Sequence, residues 1–276
     1  MNQKSVQHML LAGIFFAIMQ VMVKYVPHLP AVEVVFFRSL FSLVASYVIL
    51  KKQKIPLLGN NKKLLILRGA SGALGLITFF FTLQNIPLAS AVTLQYLSPV
   101  FTTILGIFIV REKVNPIRFL YFAIAFGGVL VIEGFDPRIS IQYTLIGVSS
   151  GFFAGLAYNI IRKLKGSEHP LVIVFYFPLV TLPIVGIWSY FIWVMPSGWD
   201  WLLLLGIGFF TQMAQYFMTM AYQHANLAKI TSLNYIGILY ALVFGFIFFG
   251  ETFNLLTYLG MGLVLIGVIL NIRSNK

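Results

Sequence analysis

The chain of 276 residues has no cysteine, and only seven of its residues are acidic. The first absence excludes disulfide frameworks, thiol nucleophiles and cysteine-based metal sites together. The second leaves few groups for acid–base chemistry. Charged residues make up 9% of the sequence and hydrophobic residues 59%, where a soluble domain carries about 25% and about 45–50%. So little polar surface cannot hold a folded chain in water, and lipid is the solvent this sequence requires. No HExxH, P-loop or Ser-His-Asp arrangement can be assembled. That points away from an enzyme, from ATP coupling and from any bound metal or cofactor.

What is present is a series of apolar runs, each near the roughly 20 residues that cross a bilayer. They fall at 5–26, 31–50, 64–86, 88–110, 116–133, 143–161, 170–194, 201–222, 227–249 and 255–272. The first is too long for a cleavable signal peptide, carries Gln20 and Lys24, and lacks a small-residue cleavage pattern. Short punctuated turns join the runs, among them Pro27-His28-Leu29-Pro30 and Met195-Pro196-Ser197-Gly198. With the N-terminus inside, all of the 19 basic residues except Lys24, Arg38 and Arg138 fall on the cytoplasmic side, Arg68 being counted there. The positive-inside rule therefore predicts both termini in the cytoplasm. The net charge of +12 is explained by topology, so it gives no sign of a nucleic-acid partner.

The stretch 88–131 is written again at 227–270 without a gap. Leu88, Ala89, Tyr96, Gly106, Glu112, Asn115 and Gly128 reappear as Leu227, Ala228, Tyr235, Gly245, Glu251, Asn254 and Gly267. Five crossings between equivalent points place the second copy upside down. The expected fold is an all-α integral membrane protein of ten transmembrane helices, a 5+5 inverted repeat with units 1–138 and 139–276. Inverted repeats are the architecture of alternating-access carriers.

Several polar residues lie inside these runs. Arg38 sits near the middle of the second, where an arginine costs about 2.5–3.5 kcal/mol on insertion scales. It reads either as an anchor for a substrate carboxylate or phosphate, or as a tie between helices. Thr211, Gln212, Gln215, Tyr216, Thr219, Tyr222 and Gln223 recur at helical spacing in the eighth run, a stripe that must face inward. It reads as a pathway lining or as interhelical hydrogen bonding. Gln95-Tyr96 and Asn234-Tyr235 are repeat partners, and Pro99 breaks the helix by crowding the Gln95 carbonyl. Gln20, Tyr158 and Asn159 complete a candidate lining. Gly147, Gly151 and Gly155 form a small-residue seam for close helix approach. Glu112 and Glu251, each followed by Asn115 or Asn254, stand at helix ends and read as capping or loop-fixing groups. Lys24 and Glu33 flank the first turn and are expected to pair across it.

Phe36-Phe37-Arg38, Leu67-Arg68-Gly69, Pro87-Leu88-Ala89-Ser90-Ala91, Leu97-Ser98-Pro99-Val100-Phe101 and Gly127-Gly128-Val129 resemble the EamA family of the drug/metabolite transporter superfamily. The likeness runs over the whole chain, although Gly237-Ile238 stands where the second copy would have Ser-Pro. It implies a bundle with a central pathway moving small organic metabolites across a bacterial inner membrane, as a monomer or homodimer. Val32–Arg38 is also similar to S-adenosylmethionine carriers of that family.

The sequence thus points to a secondary transporter of an amino acid or S-adenosylmethionine-like metabolite, working by facilitated diffusion or exchange. Gln95, Tyr96, Asn234, Tyr235, Gln212 and Gln215 are the expected recognition groups. An exporter of amino acids or drugs, and a non-transporting membrane scaffold or sensor, are the alternatives.

Overall fold

A computed structural model describes residues 3–111, 115–164, 166–223 and 236–273. Among these residues the structure is helical throughout, with no strand. In chain order the helices are α1 (Gln3–Lys24), α2 (Ala31–Lys52), α3 (Lys62–Asn85), α4 (Leu88–Gln95), α5 (Ser98–Ile109), α6 (Ile117–Phe135), α7 (Ile141–Leu164), α8 (Pro170–Phe191), α9 (Asp200–Gln223), α10 (Ile236–Phe249) and α11 (Leu255–Arg273). Seven spans are long and apolar enough to cross a membrane, and α4 with α5 counts as one of them, Leu88–Ile109. Three shorter apolar stretches lie in α6, α10 and α11.

Local chemistry sets the helix ends. The Asn61 side chain accepts from Leu64 N–H at the start of α3, and His169 accepts from Leu171 N–H ahead of Pro170 in α8. Asn254 Oδ1 accepts from Thr257 N–H at 2.7 Å and Asn115 Oδ1 from Ile117 N–H at 3.1 Å. Each asparagine therefore covers a backbone donor that the first turn of a helix leaves open. The span 88–109 is broken at Tyr96-Leu97, one turn being lost just before Pro99, which enters α5 at its first turn. A proline there cannot donate to the carbonyl one turn back, so the helix restarts.

Packing comes in exchanged pairs. α1 lies on α9 as α7 lies on α3, and α2 touches α9 as α8 touches α3. α5 lies on α7, while α1 meets α10. The pairs α2–α8 and α6–α11 join equivalent helices to each other. The α6–α11 crossing brings backbone against backbone. A Cβ on Gly128 would lie 2.6 Å from the Gly260 carbonyl oxygen, and one on Gly267 would lie 2.6 Å from that of Tyr121. The α7 seam likewise seats Gly147, Gly151 and Gly155 against the α4–α5 break. Without a hydrophobic driving force between helices in lipid, such close van der Waals contact carries the association.

The bundle has two distinct ends. α2 finishes at Lys51-Lys52, α3 starts at Lys62-Lys63 and α7 finishes at Arg162-Lys163, all at one end. The other end carries Trp188, Trp193, Trp199 and Trp201, all partly exposed, as an interfacial aromatic belt.

Valine at Gly128 or at Gly267 is expected to cost about 1–3 kcal/mol by overpacking. Valine at Gly127, where a Cβ meets nothing within 4 Å, should cost far less. Thermal unfolding of the three variants in detergent checks the contrast.

Candidate functional site: a cationic cavity between the repeats

A cavity of about 300 Å³ lies between α2, α3, α7, α8 and α9, and Gln95 reaches it from the end of α4. It runs from mid-depth toward the lysine end: Arg38, Ser42 and Ser46 line it from α2, Arg68, Gly72 and Gly75 from α3, and Ala154, Ala157 and Tyr158 from α7. Phe177 and Pro178 come from α8, and Thr211, Gln212 and Gln215 from α9. Both halves of the sequence contribute to it.

Two guanidinium groups dominate its chemistry. Arg38 is 5% exposed. Its Nε donates to Thr211 Oγ1 at 3.3 Å, and its Cζ lies 5.9 Å and 5.7 Å from the ring centres of Phe80 and Phe177. Arg68 Cζ lies 4.5 Å from the centre of the same Phe177 ring. Gly72 makes that stack possible, because a Cβ there would meet Phe177 at 2.8 Å and Arg68 Nη1 at 3.0 Å. Ring faces attract cations, yet they accept an N–H only weakly beside an oxygen. Arg38 Nη1, Arg68 Nε and Arg68 Nη1 are sealed from solvent and find no hydrogen-bond acceptor among the described residues. Among the described residues, no carboxylate belongs to the cavity lining.

The opposite end is tied shut. Glu251 is 7% exposed and accepts Leu88 N–H with both carboxylate oxygens, at 3.0 Å and 2.8 Å. It also pairs with Lys24 Nζ at 3.0 Å. Gly245 leaves room for that carboxylate, since a Cβ there would lie 2.5 Å from Glu251 Oε2. Lys24 donates as well to the Ile86 carbonyl. Glu33 accepts from Val194 N–H at 3.0 Å, and Gln84 donates to the carbonyls of Val26 and Leu29, each at 3.0 Å. In the 136–138 turn Arg138 grips Asp136 at 2.8 Å and the Thr252 carbonyl at 2.9 Å. Its hydrogen bonds to Asp136 hold its guanidinium above the ordinary value.

Several expectations change. Lys24 does not pair with Glu33, because Glu251 from the distant end of α10 takes the lysine and the 192–194 backbone takes Glu33. Arg68 is no interfacial charge but part of the cavity. Of the predicted lining, Arg38, Gln95, Tyr158, Gln212 and Gln215 meet there. Ser150 Oγ donates to Gln95 Oε1 and orients its amide. Asn159 turns elsewhere: fully buried, it donates to the Thr102 carbonyl at 2.8 Å and ties α7 to α5. Gln20 and Pro99 are not among the lining residues, and the Tyr96 hydroxyl packs against Gly237. Tyr216 is 55% exposed, which takes it off the inward stripe. Glu112, Asn234 and Tyr235 lie outside the described residues, as do the side chains of Thr219, Tyr222 and Gln223. Neither Phe177 nor Arg68 was read from the sequence as part of a site. Arg68 stands six residues inside α3, about 9 Å along the axis at 1.5 Å per residue, and that depth was the available signal.

A bundle of apolar helices around a polar cavity defines a multi-pass membrane protein. The sequence signature of the EamA-like transporter family matches residues 3–134 and again residues 142–273, and the chain belongs to that family. A pseudopaline exporter of Pseudomonas aeruginosa is 31% identical over 96% of this chain and 95% of its own length. Human solute carrier family 35 member G1 is 27% identical, covering 88% of this chain and 71% of its own. A riboflavin transporter of Brucella anthropi is 26% identical over 86% of each. One solved crystal structure superposes with a TM-score of 0.66 at 14% identity, over 97% of this chain and 96% of the other, and so shares the fold. The apolar helices and bacterial relatives place the protein in the cell's inner membrane.

Glu251→Gln is expected to destabilise the protein by about 3 kcal/mol, as loss of one partner of a buried pair does. Combined with Lys24→Met it should cost less than the two single changes together, with a coupling of about 1 kcal/mol or more. A double-mutant cycle on thermal unfolding in detergent reads both.

Proposed function

We propose that the chain is a secondary transporter that opens its central cavity alternately to the two sides of the membrane. Ten crossings in two oppositely oriented five-helix units, 1–138 and 139–276, carry it, with both termini and the lysine end in the cytoplasm. The observation that supports this most is the cavity itself: polar groups from both units converge at mid-depth in a bundle whose outer surface is apolar. The exchanged helix pairings add to it, since two equivalent units meeting at one site can rock about it. The broken α4–α5 span next to Gln95 is a further transporter feature.

The cargo is a small organic metabolite held by Gln95, Gln212, Gln215 and Tyr158, with Phe79 and Phe177 as apolar walls. Among the described residues no carboxylate lines the cavity to carry a proton, which supports facilitated diffusion or exchange. Export is the direction favoured by the likeness to the pseudopaline exporter, and a passive carrier follows whichever gradient the cell maintains.

Purified protein in liposomes should take up labelled metabolite from a panel of amino acids and organic acids when the lumen holds unlabelled counter-substrate, without needing a pH gradient. Gln95→Leu combined with Gln215→Leu should slow that uptake at least tenfold. Strict dependence on the pH gradient would overturn the uncoupled mechanism, and unchanged uptake in the double variant would remove the cavity from the pathway.

A further inference from the structure

The arginine pair also bears on what kind of molecule the cavity takes. Arg38 comes from α2 and Arg68 from α3, and both lean on one ring, Phe177, at 5.7 Å and 4.5 Å. One small molecule can therefore touch both. Arg38 is 5% exposed, and its single described hydrogen bond goes to Thr211, through Nε. Both guanidiniums border the cavity, and among the described residues Arg38 Nη1, Arg68 Nε and Arg68 Nη1 find no acceptor.

Two like charges placed against one ring repel each other, and in a medium of low dielectric that repulsion is hardly screened. At the tryptophan end the charge of Lys24 is answered by Glu251. Among the described residues the cavity lining supplies amides, hydroxyls and aromatic rings, and no counter-charge. A guanidinium fork matches the two oxygens of a carboxylate or phosphate, and two forks match two negative charges.

From this geometry we propose that the cargo is a small organic dianion, one end gripped by Arg38 and the other by Arg68. The proposal rests on the carrier reading above and gives it a substrate class. At roughly 30 Å³ per water-sized group, a cavity of about 300 Å³ holds roughly ten such groups, which matches a dicarboxylate of four to six carbons. A neutral amino acid, with its single carboxylate, leaves one fork unmet and brings an ammonium toward it. A sulfonium-bearing cargo such as S-adenosylmethionine brings a further positive charge.

The experiment is a thermal-shift titration of the detergent-solubilised protein, run beside liposome counterflow, with succinate, glutarate and adipate as probes. Butyrate, leucine, putrescine and S-adenosylmethionine are the controls, and glycerol 3-phosphate asks whether a phosphate serves as the dianion. Dicarboxylates or the phosphate should raise the melting temperature at concentrations at least tenfold below butyrate or leucine, and putrescine should do nothing. Arg68 Nε and Nη1 have no acceptor among the described residues, so Arg68→Gln should fold, and it should weaken dianion binding about 100-fold while leaving butyrate within a few-fold. Arg68→Lys keeps the charge without the fork and should fall between.

If leucine or S-adenosylmethionine binds as well as the dianions, or if Arg68→Gln leaves dianion binding unchanged, the substrate class is wrong whether or not the protein transports. If dianions bind as expected but no probe crosses the liposome membrane, the anion site stands and the carrier reading fails.

Discussion

A charge placed within lipid has to be answered by protein, because no water is there to do it. At the tryptophan end this chain meets the requirement with one carboxylate. Glu251 receives Lys24 from α1 and the Leu88 amide from the start of α4, and it folds back over Gly245 in α10. Three elements from both halves of the sequence therefore converge on a single side chain. In the middle of the bundle the same requirement is left open, with two guanidiniums and, among the described residues, no counter-charge in the lining. The contrast separates an end whose charges are tied from a cavity whose two arginines are not.

The helix that shapes this cavity wall is α8. Pro178 withholds the hydrogen bond that the Val174 carbonyl would accept in a regular helix, and Thr181 Oγ1 bonds back to the Phe177 carbonyl at 2.7 Å. Phe177 lies between these two irregularities and presents its ring to both arginines. A broken α4–α5 span brings Gln95 to the same place, where Ser150 holds its oxygen. Irregular helix at membrane depth is tolerated where it borders a cavity, and both irregular stretches border this one. The glycine crossings of α6 on α11 and of α7 on α4–α5 supply the rigid frame around them.

Much of this was legible from residue order. The apolar runs foretold the long helices, since a span has to match the bilayer in length. Gly128, Gly267 and Glu251 were marked by the internal repeat, and in space they are a helix crossing and a cap. Arg38, Gln95, Gln212 and Gln215 were polar groups in apolar runs and do line the cavity. Tyr216 and Asn159 passed the same filter and do not. Periodicity names a helical face without saying whether it meets a cavity, lipid or a neighbouring backbone.

The division between sequence and tertiary structure follows from the range of the forces involved. Burial of apolar residues, proline's missing donor and the asparagine caps act within a turn or two, so residue order alone determined the spans, the break before Pro99 and the doubled plan. Which partner a charge finds depends on helices far apart in the chain. Only the folded bundle decided that Lys24 belongs to Glu251 and not to Glu33, and that Arg68 leaves the helix end to share a phenylalanine ring with Arg38. Coulomb attraction and hydrogen bonding reward proximity in space, and proximity in space is what a linear pattern does not encode.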